Sequence, residues 1–424
     1  MNILIKNAWV ITCNEKFEVI KNGYVEIENG KFKSVSDTKP EGKFEVIDAK
    51  GGIVMPGLVN GHTHSPMTFL RGYADGYPLE VWLNDHIFPK EALLTSDDVY
   101  ASSMLGIMEM LSGGTTLFSD MYDFCDTIAD TVEESGIKAL LSRGTTYFDP
   151  TVPFEKHKGT IESIELLNRK SDRISVAFAP HAVYTTTPEF LGYFAKLAAD
   201  NNAIYHIHLS ETVTENENCI AKHGKTPAQL LKEVGAFETK VLAAHCVHLT
   251  DADREILAES GATVANNPTS NLKLGSGCAD ITALKKAGID ICLGTDGASS
   301  NNTVNMLKEL NLAALLTCGV TQNPLAVNTE DAIRWATNAK ALGFNDTGVI
   351  APGMRADFII IDTESPNMVP CHNPVSNVVY SANASNIKYT FVDGRMLYKN
   401  GEFTTIDKEK VYFEFDKTVK RIFN

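Results

Sequence analysis

The sequence predicts an α/β protein, a (β/α)8 barrel over residues 53–352 with a small β-sandwich built jointly by residues 1–52 and 353–424. Three observations predict it. Short apolar runs alternate with helical patterns through the middle of the chain, as a parallel sheet with crossover helices requires. Eight such runs occur, at 52–59, 115–119, 138–142, 174–180, 203–208, 240–245, 262–266 and 289–295, enough to close a barrel. Both ends share a different texture of short strands and turns, and neither end is long enough to bury a core alone.

In chain order, strands are expected at 3–5, 8–12, 24–27 and 31–35, with Asn22-Gly23 and Asn29-Gly30 as turns. Helical spacing of apolar residues follows at 100–111, 128–135, 188–199 and 304–316. Residues 356–362 and 389–398 return to the strand-rich texture, and closure of the barrel between them brings the two ends together. No Gly-rich phosphate loop follows the first run, which argues against an open, dinucleotide-binding sheet.

The 424 residues carry a formal charge of −15, with 44% hydrophobic and 21% charged residues. A nucleic-acid or anionic-membrane surface needs clustered Lys and Arg that this chain lacks, so small neutral or cationic substrates fit better. The eight cysteines are scattered without a Cys-x-x-Cys pair, as in a reducing compartment. The N-terminus shows no signal-peptide pattern and no run of about 18 apolar residues occurs. The expectation is a cytoplasmic protein without a membrane span.

Chemistry collects at the strand ends. His62 and His64, in Val59-Asn60-Gly61-His62-Thr63-His64, lie two apart and so share one face of a strand. His181 follows the fourth run, His208 and then Glu211 the fifth, His245 the sixth and Asp296 the eighth. A barrel converges these positions on one mouth. His62, His64, His208 and Asp296 offer three neutral nitrogens and one carboxylate, a set suited to a divalent ion, zinc by default and Fe2+ or Mn2+ otherwise. Such an ion lowers the pKa of a bound water from about 15.7 to about 7. Glu211 reads equally as a proton shuttle or as a capping carboxylate for the helix that follows. His245 is placed to meet developing negative charge, and His248 reads as a loop histidine.

These stretches, with Leu70-Arg71-Gly72, Asn267-Pro268-Thr269-Ser270-Asn271 and Gly294-Thr295-Asp296-Gly297-Ala298-Ser299-Ser300-Asn301-Asn302, resemble the amidohydrolase superfamily. Within it the chain is most similar to the 5-methylthioadenosine/S-adenosylhomocysteine deaminases, over its whole length. The resemblance implies a TIM barrel with a flanking β-sandwich and a metal held by His62, His64, His208 and Asp296. One ion per subunit is expected, because the fourth run has no lysine to form the bridging carbamate of dinuclear relatives.

The resemblance also implies substrate contacts at Glu91, Arg143, His181, Glu211 and Asp296, with Glu91 on the ribose hydroxyls. Catalysis falls to Glu211, His245 and Asp296. The implied reaction is hydrolytic deamination of the adenine C6 amino group in 5′-methylthioadenosine, adenosine or another 5′-substituted adenosine. S-adenosylhomocysteine stands apart, since the loop 145–158 carries Lys156 and Lys158 but no arginine for a bidentate carboxylate contact. The rivals are a guanine, cytosine or triazine deaminase or a chlorohydrolase, which need no ribose-facing pair, and a non-catalytic scaffold. A homo-oligomer is expected from the family.

Overall fold

The computed structural model describes residues 2–424. Eight parallel strands, Leu58–Thr63, Thr115–Tyr122, Lys138–Thr145, Ile174–Pro180, Ile204–Leu209, Val241–His245, Thr263–Asn266 and Asp290–Leu293, pair in chain order. Helices follow these strands in the chain, among them Ser96–Ser112, Cys125–Ser135, Pro188–Asp200 and Met306–Thr321. Strand residues such as those of Thr115–Tyr122 are buried throughout, which is why the runs read as apolar on both faces.

The seam between the eighth and first strands is closed by a side chain acting as backbone. Asn60 donates from Nδ2 to Thr295 Oγ1 at 2.7 Å and accepts the Thr295 backbone N–H at 2.9 Å. Immediately beyond, the Asp296 backbone N–H donates to the His62 carbonyl at 2.9 Å. The first and last strands are thus registered with His62 opposite Asp296.

The apolar run expected as one strand at 52–59 is divided. Ile53–Pro56 pairs with Trp9, Val10 and Phe358–Ile361 in the terminal sheet, and Leu58–Thr63 begins the barrel. The exchange happens at Gly57, whose N–H donates to the Asp357 carbonyl at 3.1 Å, while Leu58 donates to Gly114 at 2.9 Å. A Cβ on Gly57 would fall inside the Thr116 side chain, so only glycine lets the two sheets approach here.

The terminal strands form a nine-stranded, mainly antiparallel sheet. It curls on itself, so that Phe32 near one edge lies 5.9 Å from Phe358 and closes a core with Ile5, Val10, Ile27 and Phe391. Asn29-Gly30 is the expected turn, joining Val19–Glu28 to Lys31–Ser36, with positive φ at both residues. Asn22-Gly23 is not a turn. It lies inside Val19–Glu28, where Asn22 adopts φ 54° at an irregularity opposite Trp9 and Gly23 pairs with Ala8, as a bulge does.

The sheet is fastened beneath the barrel by the fully buried Lys138, at the start of the third strand. Its ammonium meets Asp357 at 2.6 Å and Asp393 at 2.7 Å. The chain ends in a helix, Lys408–Phe423, that buries Val411, Thr418 and Ile422. Its Arg421 is ion-paired with Asp98 of the Ser96–Ser112 helix. No helix among the described residues is long and apolar enough to cross a membrane.

Candidate metal centre and active site

The strand ends bring His62, His64, His208, His245 and Asp296 to one place. The His62 ring centroid lies 4.9 Å from those of His64 and His208 and 5.6 Å from that of His245. The donor atoms fall into two clusters that share His62, one with His208 and His245 and one with His64 and Asp296. In each cluster the atoms lie within 4.8 Å of one another.

Each histidine is turned by a bond at Nδ1. His64 Nδ1 is 2.6 Å from the Met121 carbonyl and His208 Nδ1 is 2.8 Å from the His181 carbonyl. Both carbonyls can only accept, so Nδ1 carries the proton and Nε2 presents its lone pair. His62 Nδ1 sits 3.0 Å from Nε2 of His206, itself held by Ser142 and Ser119. That leaves His62 Nε2 buried without a hydrogen-bond partner, a costly vacancy unless something positive is bound there.

Asp296 supplies the charge. Oδ2 accepts from Ser270 at 2.6 Å and Ser300 at 2.9 Å, while Oδ1 accepts from the Gly297 N–H at 2.7 Å and faces His64 Nε2 at 3.1 Å. Burial opposes ionisation, but the bond to His64 and the histidines around it hold the Asp296 carboxyl well below its ordinary range. Burial likewise opposes a charge on His64, yet the bond to Asp296 and its negative charge raise the imidazole to about 9. The cluster therefore attracts positive charge, and a divalent cation meets that demand with more charge than one proton. The orphaned His62 nitrogen and this donor set fit such an ion.

Asp296 and His245 both sit in the left-handed region, with φ 59° and 73°. Such conformations cost about 1–3 kcal/mol each and are held by surrounding bonds. For Asp296 these are the seam contacts and the two serines. For His245 the Nδ1 contact to Asn271 Oδ1 at 2.8 Å leaves Nε2 aimed at Glu211, 3.8 Å away.

Glu211 is 4% exposed. Thr212, not Glu211, caps the Val213–His223 helix, by accepting from Glu215 N–H. The Glu211 side chain instead accepts from Ser276 Oγ at 3.2 Å, and burial raises its pKa. Its backbone is pinned from below by the buried Glu215, whose carboxylate accepts from the N–H of Ser210 at 3.1 Å and of Glu211 at 2.7 Å.

A cavity of about 360 Å³ opens over the cluster, lined by His64, His181, His208, Glu211, His245 and Asp296 at its floor. Its walls include Trp82, Leu83, Phe88 and Glu91 on one side, and Arg143 and Phe148 on the other. Glu91 accepts from Tyr122 Oη at 2.5 Å, and burial raises its carboxyl to about 7. His181 is bonded through Nδ1 to Thr185 at 3.1 Å and burial lowers it to about 3, so it stays neutral. Arg143 is engaged by Glu162 at 2.6 Å and by Asp123 and the Gly144 carbonyl.

Sequence reasoning missed the residues that act behind these. Asp120, near the end of the second strand, holds Ser65 through its N–H at 2.8 Å and its hydroxyl, fixing the turn after His64. His206, Glu215, Asn271 and Ser276 likewise orient His62, Glu211, His245 and Glu211. His248 remains in a loop and binds the Ser276 carbonyl at 2.7 Å.

Comparison with known proteins agrees with this architecture. A 5-methylthioadenosine/S-adenosylhomocysteine deaminase of Acetivibrio thermocellus is 43% identical, with 100% of both chains covered. A 5′-deoxyadenosine deaminase of Methanosarcina mazei is 41% identical over 99% of this chain and 98% of its own. The crystal structure of an adenosine deaminase from Xanthomonas campestris with bound zinc superposes with a TM-score of 0.93 at 32% identity, covering 99% and 98% of the two chains. The sequence profile of the amidohydrolase family matches residues 53–397, and the chain belongs to that family.

Proposed function

We propose that this protein is a hydrolytic deaminase that removes the adenine C6 amino group of 5′-substituted adenosines, giving the inosine analogue and ammonia. The observation that carries the reading is a cavity with a cation-demanding cluster and a buried, protonatable carboxylate at its floor, and a hydrogen-bond-accepting carboxylate, Glu91, in its wall. The names of the relatives at 41–43% identity support the same chemistry.

One divalent ion per subunit, zinc by default, would be held by His62, His64, His208 and Asp296 and would supply the Lewis acidity that makes water nucleophilic near neutral pH. Asp296 takes a proton from the attacking water through the carboxylate oxygen that faces the cluster. Glu211, whose raised pKa keeps a proton available, donates it to the ring nitrogen beside C6. His245, held through Nδ1 by Asn271, faces the oxygen as it gains charge at C6 and steadies it. The C6–N bond then breaks, and the proton held by the carboxylates leaves with ammonia. His181 contacts the base as a neutral imidazole, and Glu91 accepts from the ribose hydroxyls.

In this reading residues 53–352 form the catalytic barrel and residues 1–52 with 353–424 a composite support, the strand Ile53–Pro56 reaching across the boundary. The enzyme is cytoplasmic and a homo-oligomer. The metal-loaded protein is expected to convert adenosine, 5′-methylthioadenosine or both, read from the shift of the adenine absorbance band. No shift with any 5′-substituted adenosine overturns the reading.

Glu91 adds a pH signature. It is a charged, acceptor-only partner for the ribose hydroxyls when ionised, and its carboxyl titrates at about 7, so kcat/KM is expected to rise with pH through that value. Glu91→Gln should erase this limb and lower kcat/KM about tenfold or more, mostly through KM, as loss of a charge-assisted bond does. An unchanged acid limb in the variant removes Glu91 from ribose binding.

A further inference from the structure

The nucleoside's reacting C6 and its 5′ carbon lie at opposite ends of the molecule. With the base over the cluster at the cavity floor, the 5′ substituent must reach toward the mouth, marked by Phe148, 69% exposed, and the Asp123 side chain, 51% exposed. What stands there decides which substituents are admitted.

Arg143 is the one Lys or Arg among the described residues that line this cavity. Its guanidinium is already shared. Nε meets Glu162 at 2.6 Å, and one terminal nitrogen meets Asp123 and the Gly144 carbonyl. Two carboxylates on one guanidinium leave the cluster with a net negative charge. The lysines of the 145–158 loop offset this only from the solvent side, where the attraction is screened. Lys158 is 79% exposed and 3.5 Å from Glu162, and Lys156 is exposed and outside the lining. Leu79, Leu83, Phe88, Phe124 and Phe148 add apolar lining, and Thr146 and Tyr184 beside them are polar but uncharged.

We propose that the Asp123–Arg143–Glu162 cluster is the selectivity filter for the 5′ position, admitting uncharged or cationic substituents and turning away those that end in a carboxylate. A carboxylate tail would bring a third negative charge to a guanidinium whose Nε and one terminal nitrogen are already taken, so that a single terminal nitrogen is left to meet it, and like-charge juxtaposition in a partly desolvated site is a strong discriminator. Asp123 acts directly, since it lines the cavity; Glu162 acts by holding Arg143 against Asp123. This rests on the proposed deamination of 5′-substituted adenosines.

The test uses the full-length, metal-loaded protein with three thioethers: 5′-methylthioadenosine, S-adenosylhomocysteine, and 5′-(3-aminopropyl)thioadenosine, which keeps the length and the amine but lacks the carboxylate. The expected kcat/KM is at least about tenfold lower for S-adenosylhomocysteine than for the other two, as for one unfavourable charge contact. Asp123→Asn and Glu162→Gln should each raise the ratio of S-adenosylhomocysteine to methylthioadenosine, Glu162→Gln mainly through KM for the acidic tail. Comparable rates on all three wild-type substrates overturn the proposal. So does equal loss with both long tails, which would mark a steric filter, and so does an unchanged ratio in active forms of both variants. A neighbouring cavity shares Leu83, Phe88, Phe148 and Tyr184 and contains Lys222. Efficient S-adenosylhomocysteine turnover that collapses in Lys222→Ala would place the tail there and also overturn it. Absence of turnover with every substrate is the separate failure of the deaminase reading itself.

Discussion

Replacing Glu211 with glutamine is expected to lower kcat by about 10²–10⁴, the range for loss of a positioned general acid–base group. The amide keeps the volume of the buried side chain and can still accept from Ser276, so packing has little reason to change. What it loses is the proton. Because Glu211 stands outside the proposed ligand set, metal content per chain should match the parent, and KM should move little. Because burial raises the pKa of Glu211, the parent also loses activity as pH rises and its acid form is depleted, a limb the variant should lack. Metal analysis, kcat and the pH profile check this together, and near-parental kcat with full metal would falsify the assignment.

Asp296→Asn is expected to be the second large effect. The amide can still satisfy Gly297, Ser270 and Ser300, but it brings no negative charge to His64 and cannot take a proton from water. Turnover should fall by about 10²–10⁴ from the proton-transfer role, with metal retained more weakly after dialysis. Reloading with excess zinc separates the two losses, since it restores occupancy and leaves kcat low. Recovery of kcat on reloading would remove Asp296 from proton transfer.

The ion-stripped proteins add a sign-specific check. His64 titrates at about 9 when folded against an ordinary 6.5. Its pairing with Asp296 therefore stabilises fully below about 6.5 and is lost as pH rises through about 9. The melting temperature of stripped parent should decline across that window, and that of stripped Asp296→Asn should decline less.

The ligating and catalytic candidates were legible because a parallel barrel exports the residues that end each strand, and those strands are readable as apolar runs. His62, His64, His208, His245 and Asp296 all sit at such ends. Asp120, Glu215, Asn271 and Ser276 were not, because each acts through another residue and carries no local pattern. Glu91 and Arg143 came from resemblance alone; in sequence both look like surface charges. The division of 52–59 was invisible because a strand entering a second sheet changes its hydrogen-bond partner and not its hydrophobicity. Asn22-Gly23 misled because the backbone that makes a tight turn also makes a bulge. The terminal helix was masked by its charge, although Val411, Phe415, Thr418 and Ile422 keep helical spacing.

The seam held by Asn60 and Thr295 joins residues 235 apart in sequence. His62 and Asp296 flank it, so an ion held by both is a cross-link that ties the first strand to the last. Closing so long a loop carries an entropic cost that grows only slowly with length, and a ligand that favours the closed form repays it in proportion to its occupancy. The cofactor of the chemistry thereby becomes a fastener of the architecture. Loss of the ion should first loosen the pairing of strands one and eight, read as faster amide exchange at 58–63 and 290–296 while the strands opposite stay protected.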